Sequence, residues 1–264
     1  MPTLEVLPGQ PNRIINSPNP ELVQVQELFD RHDALVAADP GFEPDAYGPY
    51  SFSIFVAGAL ANSFPRKVSA EIAHFRANLV RTTEGAKPPE ERTKMGVVLG
   101  DSAFVRSLVE RFGLDWTNIN GEKAHVVGGP VRNLDALIQE IGKAWRNYLP
   151  SEGAYHCEAR QRDAEDLGAF LEKYRFNDPE VPILTTSAKE ITTGLGLKED
   201  MVSSMTTPVD LRKTVELWKA RGFDTLVDIS QGAILKSLVE RIHEFRFITL
   251  DQILGARTPN PQSI

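Results

Sequence analysis

The sequence predicts an α/β protein: a larger body with a parallel sheet covered by helices on both faces, interrupted by a smaller inserted subdomain. Three observations predict it. After residue 180 strand-like and helix-like segments alternate, as in a parallel sheet with helical crossovers. From Met95 the order reads β-α-β-β-α-β over about 60 residues, that of a ferredoxin-like unit. The chain has 264 residues, 41% of them apolar and 25% charged, enough to bury one large core or two unequal ones.

Each element has its own signal. Leu4 to Leu7 is a short apolar segment closed by the turn pair Pro8-Gly9. A helix is expected over Glu21–Ala37, where Leu22, Val25, Leu28 and Phe29 recur at helical spacing. The stretch ADPGFEPDAYGPYS, residues 38–51, packs three prolines and two glycines into 14 residues and reads as a loop. Ser69–Val80 reads as a helix, and its polar continuation RTTEGAKPPEERTK as a mobile connection.

In the insert, MGVVLG is a strand and SAFVRSLVERFG a helix with Phe104, Leu108 and Phe112 on one side and a glycine at its end. LDWTNI and KAHVVGG are strands joined at Asn120-Gly121, a strong hairpin signal; NLDALIQEIGKAW is a helix, and RNYLPSEGAY holds a last extended segment. Beyond it come VPILTTS (strand), KEDMVSSMTT (helix), DLRKTVELWKARGF (helix, ending at Gly222), TLVDIS (strand) and ILKSLVERIHEF (helix). The expected division is 1–93 for the N-terminal part of the large body, 94–149 for the ferredoxin-like subdomain, 150–254 for the C-terminal part and 255–264 for a flexible tail.

Composition excludes several classes. No window approaches the roughly 18 uninterrupted apolar residues of a membrane span. The start lacks a basic region followed by an apolar one, so no secretory signal is expected. A single cysteine, Cys157, excludes an internal disulfide and fits a reducing, cytoplasmic setting. A net charge of −7 with scattered Lys and Arg leaves no footprint for nucleic acid. No Cys/His cluster has zinc spacing, and neither a Walker loop nor G-x-G-x-x-G is present, so no metal or bound cofactor is expected.

In PSEGAYHCEARQ, His156 stands where extended chain gives way to a charged amphipathic helix, a place where α/β proteins keep their sites. A neutral imidazole there serves as a general base; the alternative is a buried histidine satisfied by a backbone carbonyl. His32, His74, His125 and His243 lack such a setting and read as structural or surface residues. Cys157 is adjacent to His156, but chain neighbours point in different directions, so a Cys-His dyad is discounted. VVGGPVRN and DISQG each read as an anion cradle or, more simply, a turn before a helix.

The order of these pieces resembles the malonyl-CoA:acyl-carrier-protein transacylase family. TTPVDLRKTVELWKARGFDTLVDISQGAILKSLVERI is similar to its closing region, GAYHCEARQRDAEDLGAFLEKYRFNDPEVPIL to the segment holding its catalytic histidine, and TNINGEKAHVVGGP to its N-x-N-x-x-x-Q-x-V-x-x-G hairpin. The resemblance implies a hydrolase-like body around the ferredoxin-like insert, and a ping-pong transfer of a malonyl or related acyl group from coenzyme A to the phosphopantetheine thiol of an acyl carrier protein. Acyl-CoA and the carrier protein are then substrates, with no cofactor. It puts His156 at the general base, Gln10 of LPGQ at an oxyanion-hole amide, Arg76 of HFRANLV at the guanidinium that grips a malonyl carboxylate, and Tyr155 at a position tied to choice of acyl substituent.

The chain departs from the family where the nucleophile should be. G-H-S-x-G is absent; VAGAL at Val56–Leu60 is kept, and PDAYGPYSF takes the elbow's place. Ungapped counting puts Tyr47 at the serine's position, and a shift of four puts Ser51 there, with Ser53 behind it. Neither alignment supplies flanking glycines, and Pro49 removes an amide, so the nucleophile site is expected to be degenerate. DISQG stands in place of G-P-G, which leaves the carbonyl that orients the histidine unassigned. The expectation is an acyltransferase with Ser51 as nucleophile; the alternatives are an inactive scaffold that binds a carrier protein and a slow acyl-thioester hydrolase.

Overall fold

A computed structural model describes residues 2–7, 19–230 and 234–255. Strand β1 (Thr3–Leu7) leads to helix α1 (Pro20–Ala38), where Pro20 opens the helix at a position that needs no N–H. α1 buries Val25, Leu28, Phe29 and Leu35 along one side. β2 (Ala46–Pro49) follows, fully buried, and corrects the reading of residues 38–51 as loop throughout. Its proline is tolerated because it is the last residue of the strand, pairing with Leu7 at the end of β1. Its glycine lets three elements close in: a Cβ on Gly48 would lie 3.2 Å from both the Trp218 ring and Val6.

Helices α2 (Ile54–Leu60) and α3 (Arg66–Gly85) come next, so α3 continues past Val80 and the first part of the expected mobile connection is helical. The smaller unit follows: β3 (Thr93–Leu99), α4 (Ser102–Phe112), β4 (Asp115–Ile119), β5 (Ala124–Pro130), α5 (Val131–Ile141) and β6 (Trp145–Tyr148). The Asp101 side chain caps α4 by accepting the Phe104 N–H, and Gly113 closes it in the left-handed conformation at φ 59°. VVGGPVRN is strand β5 running into α5. The rest comprises α6 (Gln161–Leu171), β7 (Ile183–Leu184), β8 (Glu190–Ile191), α7 (Gly194–Ser203), β9 (Val209–Asp210), α8 (Leu211–Ala220), β10 (Thr225–Asp228), α9 (Ile234–Val239), β11 (Arg246–Thr249) and α10 (Leu250–Ile253).

The large sheet has the order β11-β10-β1-β2-β7-β8, parallel except for the antiparallel edge strand β8. Leu4, Val6 and Leu226 face Leu211, Val215 and Trp218 of α8 on one side; Leu7 and Val227 join Val25, Phe55 and Ile72 of α1, α2 and α3 on the other. The small sheet pairs β6-β3-β5-β4 antiparallel, the order of a βαββαβ ferredoxin-like unit, and takes β9 from the C-terminal part as a fifth strand parallel to β4. Met95 and Val126 of this sheet belong to the same core as Phe55, Ile72 and Leu167, so the two units share packed surface. No helix among the described residues is long and apolar enough to cross a membrane.

Candidate active site

The chain leaves β2 at Pro49, keeps extended backbone at Tyr50 (φ −108°, ψ 111°), and turns at Ser51 into a 3-10 segment that runs into α2. Ser51 has φ +54°, left-handed and strained for a residue with a side chain. A strand, a sharp turn at a serine and a helix, at the carboxyl end of a parallel sheet, have the backbone shape of a nucleophile elbow. The turn forms without flanking glycines and with Pro49 in place, the two features from which a degenerate site was expected. A single residue carries the strain, about 1–3 kcal/mol for one such conformation. Pro49 removes no needed bond, since the ladder resumes where the Tyr50 N–H donates to the Leu7 carbonyl at 2.9 Å. Tyr47, the ungapped alternative, lies within β2 and is buried in the core, and the Ser53 hydroxyl is buried too.

His156 meets this serine: its Nε2 is 2.6 Å from Ser51 Oγ. It is also left-handed, at φ +59°, on an irregular connection after β6. The sequence placed it at the end of a strand, but β6 stops at Tyr148 in the small sheet. The other ring nitrogen, Nδ1, is 2.6 Å from the Ser204 carbonyl oxygen. A carbonyl only accepts, so Nδ1 carries the proton and Nε2 presents its lone pair to the Ser51 hydroxyl. Ser204 caps the C-terminus of α7, where carbonyls have no intrahelical donor. The carbonyl that orients the histidine, sought in the sequence at DISQG, is that of Ser204; residues 231 and 232 of that motif lie outside the described residues. Burial, and then the nearby Arg76 guanidinium, push the His156 pKa down to about 3, against opposing bonds to the Ser204 and Thr207 backbone.

Ser51 and His156 line a narrow cleft whose facing wall is rich in hydroxyls, from Thr185, Thr186, Ser187 and Thr207. Asp200 is buried there, accepting from Ser187 Oγ at 2.6 Å and lying 3.2 Å from Lys189 Nζ. Sequence reasoning missed this wall and Ser204. Ser204 acts through its backbone, which leaves no side-chain signal, and the hydroxyls of VPILTTS read only as strand polarity.

Arg76 does not line the cleft. It is buried on α3, where its Nε donates to Met205 Sδ at 3.1 Å, one residue beyond Ser204. Its guanidinium lies 4.2 Å from the centroid of the Tyr155 ring and 5.7 Å from that of Phe55. Among the described residues no carboxylate comes within ion-pair distance of it. Burial holds its pKa below the usual arginine value. Tyr155 is thus an aromatic floor for a buried cation that has no carboxylate partner among the described residues. Gln10 lies outside the described residues. Cys157 is buried with its thiol pKa raised to about 11 by burial and by Asp115, unfit as a nucleophile at neutral pH.

A second buried network sits behind the histidine. Arg160, fully buried, donates to Asp163 Oδ2 at 2.7 Å, to Thr93 Oγ1 at 2.8 Å and to Glu84. It ties α3 and α6 to the first residue of the small sheet. Among the described residues no three His, Cys, Asp or Glu side chains cluster as a metal site requires.

No profile of a known protein family matches the chain. Individual proteins do. The malonyl CoA-acyl carrier protein transacylase of Bacillus subtilis is 24% identical over 221 residues, 78% of this chain and 67% of that protein. That of Escherichia coli is 27% identical over 163 residues, 58% of this chain and 53% of that protein, so the match spans about half of that relative. That of Staphylococcus aureus is 24% identical over 242 residues, 86% of this chain and 76% of that protein.

The chain is a divergent homologue of these transacylases.

Solved structures agree on the fold. The Helicobacter pylori malonyl-CoA:acyl carrier protein transacylase superposes with a TM-score of 0.81 at 17% identity, covering 97% of this chain and 96% of that one. A malonyl-transacylase solved in complex with its type II polyketide-synthase acyl-carrier protein superposes at 0.79 and 18% identity, covering 98% and 100%. A transacylase homologue lacking G-H-S-x-G thus retains the architecture and has a serine and a histidine in contact at the carboxyl end of its large sheet.

Proposed function

We propose that this protein is an S-acyltransferase that moves a malonyl or related acyl group from coenzyme A to the phosphopantetheine thiol of an acyl carrier protein. The observation that carries the reading is the 2.6 Å contact between His156 Nε2 and Ser51 Oγ, with Ser51 held at φ +54° on the turn after β2. Serine and base within hydrogen-bond reach, with the base fixed by a third group, is the arrangement of an activated nucleophile.

In this mechanism Ser51 Oγ attacks the thioester carbonyl as His156 Nε2 takes its proton. The oxyanion of the tetrahedral intermediate is served by the Phe52 N–H, in the 3-10 turn that leads into α2, where the first amides lack intrahelical acceptors. The C–S bond then breaks, and the coenzyme A sulfur takes the proton from His156, leaving the acyl group as an ester on Ser51. In the second half the carrier's thiol gives its proton to His156 and attacks that ester, and Ser51 Oγ recovers the proton as leaving group. Arg76, which lies behind the cleft wall rather than on it, is proposed to draw in a carboxylated acyl group, because a buried guanidinium with no carboxylate partner among the described residues gains from an anion brought to it. Gln10 is proposed as a further oxyanion-hole amide and Tyr155 as a determinant of acyl choice through its contact with Arg76.

The test is transfer itself. With malonyl-CoA and a phosphopantetheinylated carrier protein, the wild type should acylate the carrier, and Ser51→Ala and His156→Ala should each lower the rate by at least about a thousandfold. Carrier binding without transfer would favour the scaffold; coenzyme A release without carrier acylation, abolished by His156→Ala, would favour the hydrolase.

A further inference from the structure

Two residues beyond the nucleophile, where the G-H-S-x-G pattern has its second glycine, this chain has Ser53, and its side chain is fully buried. Its Oγ donates to the Leu7 carbonyl at 2.9 Å and accepts the Tyr50 N–H at 2.9 Å. The same N–H also reaches the Leu7 carbonyl. One hydroxyl therefore joins the residue before Ser51, the residue two after it, and the last residue of β1. Tyr50 is anchored at its far end as well, donating its OH to Asn120 Oδ1 at 2.6 Å and accepting from Asn118 Nδ2 at 3.1 Å. Ser51, the strained residue, lies inside this brace.

We propose that Ser53 is a positioning residue: by bracing Tyr50 against the end of β1 it holds Ser51 in its left-handed elbow, doing by hydrogen bonding what flanking glycines do by conformational freedom. A serine at φ +54° relaxes toward ordinary backbone unless its surroundings over-determine it. Relaxation swings Oγ away from His156 Nε2, and a displacement of about 1 Å at a reacting atom costs roughly a hundredfold in rate. Ser53 is not among the residues lining the cleft, so it acts through Ser51 rather than on the substrate. The inference rests on the reading of Ser51 as nucleophile.

The experiment compares wild type, Ser53→Ala and Ser53→Cys, measuring acylation by malonyl-CoA with rate constant and KM resolved, and labelling by a serine-reactive fluorophosphonate with the adduct located by peptide mapping. The acylation rate constant and the labelling rate should both fall about 10- to 100-fold in Ser53→Ala, with KM unchanged within about twofold. Ser53→Cys, nearly the same shape with a weaker donor, should fall in between, and carries the test if the alanine variant does not fold. A folded Ser53→Ala or Ser53→Cys acting at the wild-type rate, or a loss confined to KM, overturns the inference and leaves the nucleophile intact. A wild type that forms no adduct at Ser51 with either reagent removes the nucleophile reading, and this inference with it.

Discussion

The Nδ1–H of His156 donates to the carbonyl of Ser204, which caps α7, at 2.6 Å. One bond fixes both the tautomer and the direction of Nε2, the job a carboxylate does in many Ser-His-Asp sites. The partial negative charge at a helix C-terminus would also favour the imidazolium formed in the proposed acylation. Against it stand burial and the Arg76 cation, which keep the resting imidazole neutral.

The pH profile should show this balance. A histidine pKa pushed down to about 3 leaves His156 unprotonated across the physiological range. The acylation rate constant should stay flat from about pH 8 to about pH 5, without the inflection near 6.5 of an ordinary histidine base. A single-turnover profile from pH 4.5 to 8.5 checks it.

The same depression makes His156 a source of acid sensitivity. Between pH 6.5, where the unfolded chain begins to bind the proton, and about 3, where the folded one does, protonation favours unfolding. The stability from a neutral His156 is full above pH 6.5 and drains as pH falls, by up to about 1.4 kcal/mol per unit. Urea denaturation at pH 7 and pH 5 should show wild type losing about 1–2 kcal/mol more than His156→Gln over that interval.

Replacing Arg76 separates substrate recognition from stability. Arg76→Met removes a buried cation that has no carboxylate partner among the described residues. Acylation by malonyl-CoA should fall about 10- to 100-fold while acetyl-CoA is little affected. The folded state should gain about 1–2 kcal/mol, since an unpaired buried charge costs more than a methionine of similar length. Equal losses with both donors would break the carboxylate assignment, and a destabilised variant would break the account of the unpaired cation.

Glu84 gives the opposite case. It accepts the Thr93 N–H at 2.5 Å and is bonded to Arg160 and Lys87. Burial alone would raise its pKa, but these donors hold it below the usual carboxylate value. Glu84→Gln leaves the fully buried Arg160 with Asp163 as its remaining carboxylate, and should cost about 2–4 kcal/mol in urea denaturation at pH 7.

The architecture was legible where a segment's own pattern sufficed. Asn120-Gly121, the apolar side of α4 and the alternation after residue 180 were enough for the insert and the parallel body. The elbow was not legible. Residues 46–51 read as loop because Gly48 and Pro49 break strand rules, and both are tolerated only because Trp218 and Val6 close over the glycine and the ladder resumes at Tyr50. His156 was found by its setting and family resemblance, although the strand expected to deliver it, β6, ends at Tyr148. Ser204 was invisible, since any residue at the end of α7 presents the same carbonyl. Ser53 read as a spare nucleophile because sequence gives a hydroxyl's position and not its direction.

If Ser51 is the nucleophile, malonyl-CoA leaves it covalently acylated. Intact-protein mass spectrometry after brief incubation with malonyl-CoA tests it most directly. Wild type should gain the mass of one malonyl group, located at Ser51 and absent in Ser51→Ala. A wild type that keeps its mass with malonyl-, acetyl- and longer acyl-CoA, or an adduct that persists in Ser51→Ala, would contradict it.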